Sequence, residues 1–177
     1  MTFLAISGSL RSASSNTILL QAMGRLLTAG ARMELYDGLA SLPFFNPDLD
    51  IEGEPALPPV ADFRDRLRIS DAVVICSPEY AHGVPGVLKN ALDWIVGSGE
   101  LVGKPVALLN AAPRATHAHA SLLEILTVMS ATIVEDASVA VPVAGRGLDI
   151  AGILADTELT GRLHAAIDAL VAAADGG

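Results

Sequence analysis

A run of small polar residues, SGSLRSASSN, covers positions 7–16 and separates an apolar run from a helical pattern. The apolar run FLAI at positions 3–6 predicts a buried strand, and the apolar spacing after position 16 predicts a helix. The polar run would then lie at a helix N-terminus, where free backbone N–H groups and the helix dipole favour an anion. Ser9, Ser14 and Ser15 can donate hydroxyl hydrogen bonds, and Arg11 can make a bidentate contact with phosphate oxygens. These residues favour a phosphate-binding loop.

A purely structural role stays open for part of this run, because Ser14 or Ser15 could simply cap the helix. One cap uses one such residue, whereas the run offers several serines, an asparagine and an arginine. Two well-known phosphate loops do not fit. The run has neither the GxxxxGK[ST] pattern of a P-loop nor the GxGxxG pattern of a dinucleotide-binding loop.

A second run of unusual composition, SPEYAHGVPGVLKNALDW, covers positions 77–94 and follows a β-branched apolar segment. Its prolines and glycines impose an irregular backbone between a predicted strand and a predicted helix. Exposed N–H groups in such a loop, together with the ring of Tyr80, could hold a planar heterocycle. Core packing of Tyr80 and a first-turn proline at Pro85 are the simpler interpretations of the same residues.

Both polar loops belong to an alternating order of predicted strands and helices. Predicted strands cover residues 2–7, 32–36, 72–76 and 106–110, and a fifth, at 133–134 and 139–141, is interrupted by an acidic pair. Predicted helices cover residues 16–29, 60–69, 84–96, 117–130 and 157–174, and residues 37–59 are irregular. Continuous apolar strands between helices predict a doubly wound, flavodoxin-like α/β fold, with a five-stranded parallel sheet and helices on both faces. Ligands bind such sheets at the carboxyl ends of the strands, where both polar loops lie.

The composition favours one domain over residues 1–177. A net charge of −9, a pI near 4.7 and scattered basic residues argue against nucleic acid or an anionic membrane as a partner. No apolar run approaches the roughly 20 residues that a membrane span needs, and the first residues lack the basic segment of a signal peptide. The single cysteine, Cys76, cannot form an internal disulfide, so a cytoplasmic location is expected.

At its two polar runs the sequence resembles the NADPH-dependent FMN reductase family, which includes chromate, quinone and azo-dye reductases. GSLRSASSN matches the family's GSLRxxSxN phosphate loop, and PEYAHGVPGVLKNALDW matches its PEYxxxxPGxLKNALDW block. The order of elements fits over nearly the whole chain. The resemblance implies bound FMN, reduction by NADPH, and a small-molecule acceptor such as a quinone or free flavin.

Carried over position by position, the resemblance assigns two groups of cofactor-binding residues. The FMN phosphate would be held by Ser9, Arg11, Ser14 and Asn16, with Ser15 as a further candidate. The ring and ribityl chain would be lined by Pro78, Glu79, Tyr80, His82 and Gly83. The flavin does the chemistry, so no catalytic side chain is assigned. The family's site usually lies at a subunit interface, which implies a homodimer or homotetramer. We predict that the 84–96 helix, with Trp94, forms the contact.

Two departures from the family pattern stand out. Ala81 occupies a position where many members carry asparagine. The segment NAAPRAT at 110–116 lacks the glycines of the family's GGxxGGxR loop, although its Arg114 corresponds to the arginine. Two other functions stay open: a non-enzymatic electron carrier of the flavodoxin type, and a module that binds some other phosphorylated ligand through the first loop alone.

Three further patterns are weaker. A tyrosine-phosphatase cysteine needs an arginine six positions on, and here that position is His82, so Cys76 is interpreted as a small buried residue. The acidic segment 48–53 begins like a calcium loop but has Pro59 where the bidentate glutamate belongs. His117 and His119 are two residues apart and would not share a helix face, so no metal site is predicted.

Overall fold

The computed structural model describes residues 1–28 and 30–176, and within them one sheet of five parallel strands in the order β2-β1-β3-β4-β5. The strands are β1 (Thr2–Ser7), β2 (Arg32–Tyr36), β3 (Ala72–Cys76), β4 (Pro105–Leu109) and β5 (Thr132–Ile133). Ser7 of β1 lies opposite Cys76 of β3, and Cys76 lies opposite Leu109 of β4. This strand order is that of flavodoxin-like sheets, which confirms the predicted fold class.

Helices cover both faces of this sheet. They are α1 (Ser15–Leu26), α2 (Pro58–Ile69), α3 (Gly86–Asp93), α4 (Thr116–Val128), α5 (Ile150–Ala155) and α6 (Thr157–Asp175). One core cluster joins the sheet to α1, α5 and α6, and a second joins it to α2, α3 and α4. Along β3, Val74 and Cys76 face the first cluster while Val73 and Ile75 face the second, so the strand is apolar throughout. Among the described residues, no helix combines the length and apolarity that crossing a bilayer requires.

The helices predicted from the sequence are present, with shifted ends. α1 ends at Leu26, and the predicted end at Ala29 lies outside the described residues. The predicted helix 84–96 is shorter in the structure, since α3 begins at Gly86 and turns follow Asp93. α5 was not predicted, because six residues with a central glycine carry little helical periodicity.

The fifth strand is interrupted, as the sequence predicts. Pairing between β4 and β5 ends at Ile133, and a 3-10 turn, Glu135–Ala137, follows. The chain then returns to the sheet edge, where Ala140 pairs with Asn110. The turn leaves the carboxylates of Glu135 and Asp136 exposed to solvent, since a charged group inside the ladder would lose its hydration.

Residues 37–57, here called the strap, pack along α3 and contain two short 3-10 helices, Gly38–Ser41 and Pro47–Leu49. Asn90 Nδ2 and Trp94 Nε1 both donate to the Pro43 carbonyl, at 2.9 and 2.8 Å. Asn90 Oδ1 accepts a hydrogen bond from the Phe45 N–H at 2.8 Å, and the Phe45 ring meets the Trp94 ring edge-on. Trp94 is 1% exposed. The prediction that Trp94 contacts a second copy is therefore wrong, because the indole is buried by its own chain.

Candidate functional site

Three loops meet at the carboxyl edge of the sheet. Loop 1 (residues 8–14) follows β1, loop 2 (77–85) follows β3, and loop 3 (110–115) follows β4. Because β1, β3 and β4 are neighbours and run parallel, their ends deliver the three loops side by side. The structure thus brings the two groups of predicted binding residues together at one edge.

Loops 1 and 2 touch at Gly8. Its N–H donates to the Cys76 carbonyl at 2.9 Å, which continues the sheet pairing by one residue. A Cβ at this position would lie 2.5 Å from Ser77 Oγ, 3.0 Å from Ser77 Cβ and 3.2 Å from Leu88 Cδ2. Only glycine allows this approach, so Gly8 joins the two loops into one surface.

Loop 1 leads into α1 without a side-chain cap. Ser14 stands at the N-cap, but its hydroxyl makes no capping hydrogen bond to the helix. The structure therefore does not support the interpretation of Ser14 as a helix cap. The Ser14 side chain accepts no hydrogen bond from the first-turn N–H groups of α1. Ser15 is the first helical residue. Ser9 Oγ accepts from the Arg11 N–H at 3.3 Å and shapes the turn before the helix.

The guanidinium of Arg11 is exposed on loop 1. Within residues 1–28 and 30–176 it forms no ion pair, in contrast to Arg64, Arg66 and Arg68 of α2. Asn16, in the first turn of α1, differs from Arg11 in being buried. Its Oδ1 accepts from the Cys76 thiol at 3.2 Å, and its Nδ2 approaches Ser14 Oγ at 3.5 Å.

Loop 2 contains a tight turn at Tyr80–Gly83. The two end residues exchange backbone hydrogen bonds of 3.2 and 2.9 Å, and both central residues have positive φ, 50° at Ala81 and 60° at His82. These angles are those of a type I′ turn, which favours asparagine or glycine at its centre. Ala81 therefore holds a left-handed backbone conformation. Asparagine, which many family members carry at this position, adopts that conformation with less strain.

The side chains of loop 2 point in different directions. Tyr80 is exposed, so core packing does not explain it. The His82 ring stacks on His117 of α4 with centroids 4.2 Å apart. Glu79 Oε2 accepts from the Ala118 N–H of α4 at 2.9 Å. Pro85 stands at the N-cap of α3, one residue earlier than a first-turn proline.

Loop 3 is closed by its own asparagine. Asn110 Oδ1 accepts from the Ala112 N–H at 2.9 Å, and Asn110 Nδ2 donates to the Ala115 carbonyl at 3.4 Å. The Ala111 carbonyl accepts from the N–H groups of Val143 and Ala144. These bonds give the loop a fixed path without the glycines of the family pattern, and Arg114 is exposed on it.

Comparison with known proteins identifies the family. Residues 1–145 match the family model described as NADPH-dependent FMN reductase. The chain belongs to this family. The resemblance drawn from the two polar runs is thereby confirmed.

Individual relatives agree with this assignment. The chain is 43% identical to the NAD(P)H-dependent FMN reductase of Pseudomonas aeruginosa over 110 residues, 61% of this chain and 58% of the relative. It is 37% identical to the quinone reductase of Pseudomonas putida over 113 residues, 62% of this chain and 59% of the relative. The matched part thus spans under two thirds of either curated relative. These names favour an enzyme over a non-enzymatic carrier.

A solved structure extends the similarity to the whole length. FerB, described as the flavoenzyme NAD(P)H:(acceptor) oxidoreductase of Paracoccus denitrificans, superposes with a TM-score of 0.77 at 26% identity. The superposition covers 99% of this chain and 97% of that one. The flavodoxin-like fold is thus shared with a flavoenzyme over nearly the whole of both chains.

The charge of the three loops differs in sign from the net charge of the whole chain. The chain carries a net charge of −9, yet the three loops contain Arg11 and Arg114 and only one acidic residue, Glu79. The Glu79 carboxylate is engaged with the positive end of α4. The three loops therefore carry a locally positive charge balance within an acidic protein.

Cys76 lies beneath the loops and is not a nucleophile. Burial raises the pKa of its thiol to about 12, although a hydrogen bond from the Ala111 backbone N–H acts in the opposite direction. The thiol is therefore protonated at neutral pH, whereas a phosphatase-type nucleophile must be a thiolate. The sequence interpretation of Cys76 as a buried residue is confirmed. Across residues 1–28 and 30–176, no group of three or more His, Cys, Asp or Glu side chains could hold a metal ion.

Two contacts of this edge were not predicted from the sequence. His117 and Ala118 at the start of α4 meet His82 and Glu79 of loop 2. The residues are separated by more than thirty positions, so no local pattern reports the contact. The histidine in each segment is the only sequence signal, and it bears on the contact of His82 with His117 alone.

Proposed function

We propose that this chain binds one FMN at the edge formed by loops 1 and 2 and uses it to pass electrons from NAD(P)H to a small acceptor, such as a quinone or free flavin. The observation that carries the proposal is the contact of Gly8 with Ser77. It places loop 1, whose residues suit a phosphate, against loop 2, whose residues suit a flavin ring. Family membership supports the same conclusion. The residues of the edge also fit the cofactor by their chemistry, loop 1 at its phosphate end and loop 2 at its ring end.

Loop 1 fits a phosphate. The N-terminus of α1 presents backbone N–H groups and a partial positive charge, and Ser14 does not occupy them with a cap. Arg11 and the hydroxyls of Ser9, Ser14 and Ser15 can add charge-assisted and neutral hydrogen bonds. Arg11 is exposed on this loop, so a phosphate can reach it without displacing an ion pair.

Loop 2 fits the ring and ribityl chain. Among the described residues, the backbone N–H groups of Ala81 and His82 find no acceptor, so the type I′ turn can present them to ring carbonyls. Pro78 and Gly83 fix the turn beside the exposed Tyr80. We assign Glu79 a supporting part, since its carboxylate holds the loop against α4.

When bound, FMN supplies the hydride and electron chemistry, and the protein supplies orientation and electrostatics. Loops 1 and 2 hold the two ends of the cofactor, and the positive edge attracts the phosphates of FMN and NAD(P)H. No side-chain acid or base is needed, so no catalytic residue is assigned.

A titration followed by turnover tests this function. Flavin fluorescence should be quenched on addition of protein and saturate near one FMN per chain. The FMN-loaded protein should then oxidise NADPH rapidly when a small quinone is added. Absence of quenching at micromolar protein and flavin would overturn the proposal. Tight FMN binding without NADPH oxidation would instead identify an electron carrier.

We further propose that residues 1–177 act as one flavin-binding domain in a cytoplasmic homodimer or homotetramer. With Trp94 buried, the contact must involve other apolar side chains. Phe44 of the strap is 91% exposed, and Leu10 of loop 1 and Tyr80 of loop 2 are exposed beside the proposed site. Exposed apolar residues of this kind favour burial against a second copy.

A further inference from the structure

A buried hydrogen-bond chain connects β3 to the N-terminus of α1. The Cys76 thiol donates to Asn16 Oδ1 at 3.2 Å, and Asn16 Nδ2 donates to Ser14 Oγ at 3.5 Å. Cys76, Asn16 and Ser14 are 0%, 7% and 3% exposed. The chain ends on the serine that occupies the N-cap without capping the helix.

The direction of this chain follows from the thiol. Cys76 is protonated at neutral pH because burial raises its pKa to about 12, and its sulfur receives the Ala111 backbone N–H. The S–H proton is then left for Asn16 Oδ1. This fixes the orientation of the amide, so that Nδ2 faces Ser14 and Ser14 Oγ serves as its acceptor. Because Ser14 Oγ accepts from Asn16, its hydroxyl proton is left to donate to a partner other than Asn16.

We propose that Cys76 and Asn16 are positioning residues for the FMN phosphate, acting through the hydroxyl of Ser14. The proposal rests on the proposed function and changes the role of Asn16 that the family resemblance implies, from direct ligand to support. Cys76, at the end of the neighbouring strand β3, would act through Asn16 to hold the hydroxyl of Ser14 in a donating orientation before the cofactor binds. Preorganisation of this kind improves affinity by reducing the ordering required on binding.

Two other roles make different predictions for Cys76. If Asn16 binds the phosphate directly and Cys76 only fills space, loss of the thiol should destabilise the fold without favouring one flavin over another. If the chain positions Ser14, loss of the thiol should weaken FMN and leave riboflavin, which lacks the phosphate, nearly unchanged. The ratio of the two affinities therefore separates positioning from packing.

The test is a pair of fluorescence titrations, with FMN and with riboflavin, on the parent and three variants. Cys76→Ala removes the donor, and Cys76→Ser restores a hydroxyl donor of similar size. Val74→Ala is the matched control, because Val74 lies on the same strand and faces the same core cluster without joining the chain. Should Cys76→Ala fail to fold, Cys76→Val removes the donor while filling the space.

We expect Cys76→Ala to lower the preference for FMN over riboflavin by about three- to tenfold, the range of one neutral hydrogen bond. Cys76→Ser should recover most of that preference, and Val74→Ala should keep it while melting at a lower temperature. An unchanged preference in Cys76→Ala, or no recovery in Cys76→Ser, overturns the positioning role alone. A parent protein that binds no flavin overturns the proposed function and this inference together.

Discussion

Glu79 Oε2 accepts a hydrogen bond from the Ala118 N–H at 2.9 Å, so a carboxylate of loop 2 caps the N-terminus of α4. Ala118 lies in the first turn of α4, and that helix has no side-chain cap of its own, since Ala115 stands at the N-cap. The carboxylate thus satisfies a free donor and meets the positive end of the helix dipole. One contact fixes both the helix start and the path of loop 2.

The first prediction follows from this cap. Glu79→Ala should lower the free energy of unfolding of the flavin-free protein by about 1 kcal/mol, as loss of a helix cap does. The melting temperature should fall by about 2–4 °C for a chain of this size. Glu79→Gln keeps an acceptor and should lose less. Glu54→Ala, which changes an exposed carboxylate in the strap, is the control and should melt like the parent. Equal melting of Glu79→Ala and the parent would show that the cap adds nothing.

The second prediction concerns the contact between loops 1 and 2. Gly8→Ala places a methyl group 2.5 Å from Ser77 Oγ and should cost about 1–3 kcal/mol, as overpacking does. It should also weaken FMN, because the loops must separate. Adding Ser77→Ala removes the nearest atom but leaves Ser77 Cβ at 3.0 Å, so the double variant should recover part of the loss.

Gly161→Ala supplies the control for that pair. Gly161 is exposed in α6, and a Cβ there would meet nothing within 4 Å. This substitution should raise stability by about 0.5–1 kcal/mol, the difference in helix propensity. If Gly8→Ala behaves like Gly161→Ala in chemical denaturation, the loops do not constrain each other at Gly8.

The third prediction tests Arg11 as a phosphate ligand. A charge-assisted hydrogen bond is worth roughly 1.5–3 kcal/mol, so Arg11→Ala should weaken FMN by about ten- to a hundredfold. Riboflavin affinity and flavin-free melting should barely change, because Arg11 is exposed and makes no ion pair among the described residues. Arg25→Ala, at the far end of α1, is the matched control. Equal losses for FMN and riboflavin would make Arg11 a structural residue.

The fourth prediction is a pH dependence of stability. The pKa of Cys76 is raised from 9.0 to about 12 in the folded protein by burial. Above pH 9 the unfolded chain therefore loses this proton while the folded chain keeps it, so the free energy of unfolding falls as pH rises toward 12. Burial likewise raises the pKa of Tyr36 from 10.0 to about 12, with the same sign.

Denaturation of flavin-free protein at pH 8 and pH 10 measures this effect. Cys76→Val removes the thiol titration, so its loss of stability between the two pH values should be smaller than the parent's by about 1 kcal/mol. Val74→Ala retains the thiol and should lose as much as the parent. Identical slopes for Cys76→Val and the parent would mean that the thiol is not buried as the structure describes.

The fifth prediction concerns assembly. Light scattering behind a sizing column should give a dimer or tetramer at tens of micromolar, and Phe44→Ser should shift the distribution toward monomer. Ile69→Ser is the control, because Ile69 is 66% exposed at the end of α2, on the amino side of β3. A fully active parent monomer would rule out the oligomer, and equal effects of the two variants would remove Phe44 from the contact.

The sequence by itself determined the fold class and predicted where the site lies. Apolar runs such as FLAI and AVVIC are continuous because both faces of a parallel sheet are covered, and this pattern is local. Parallel connectivity then requires the polar runs after β1 and β3 to meet at one edge. Family residues in those runs named the cofactor, without any knowledge of how the side chains are arranged.

The tertiary structure alone decided what individual residues do. Trp94 belongs to a helix that the sequence predicts, but its burial depends on Pro43 and the strap. Glu79 is predicted to line the ring, and the structure adds that its carboxylate caps α4. The need for glycine at position 8 comes from Ser77, and the role inferred for Asn16 comes from Cys76. Each of these contacts joins residues far apart in the chain, and periodicity and capping patterns report only neighbours within a few positions.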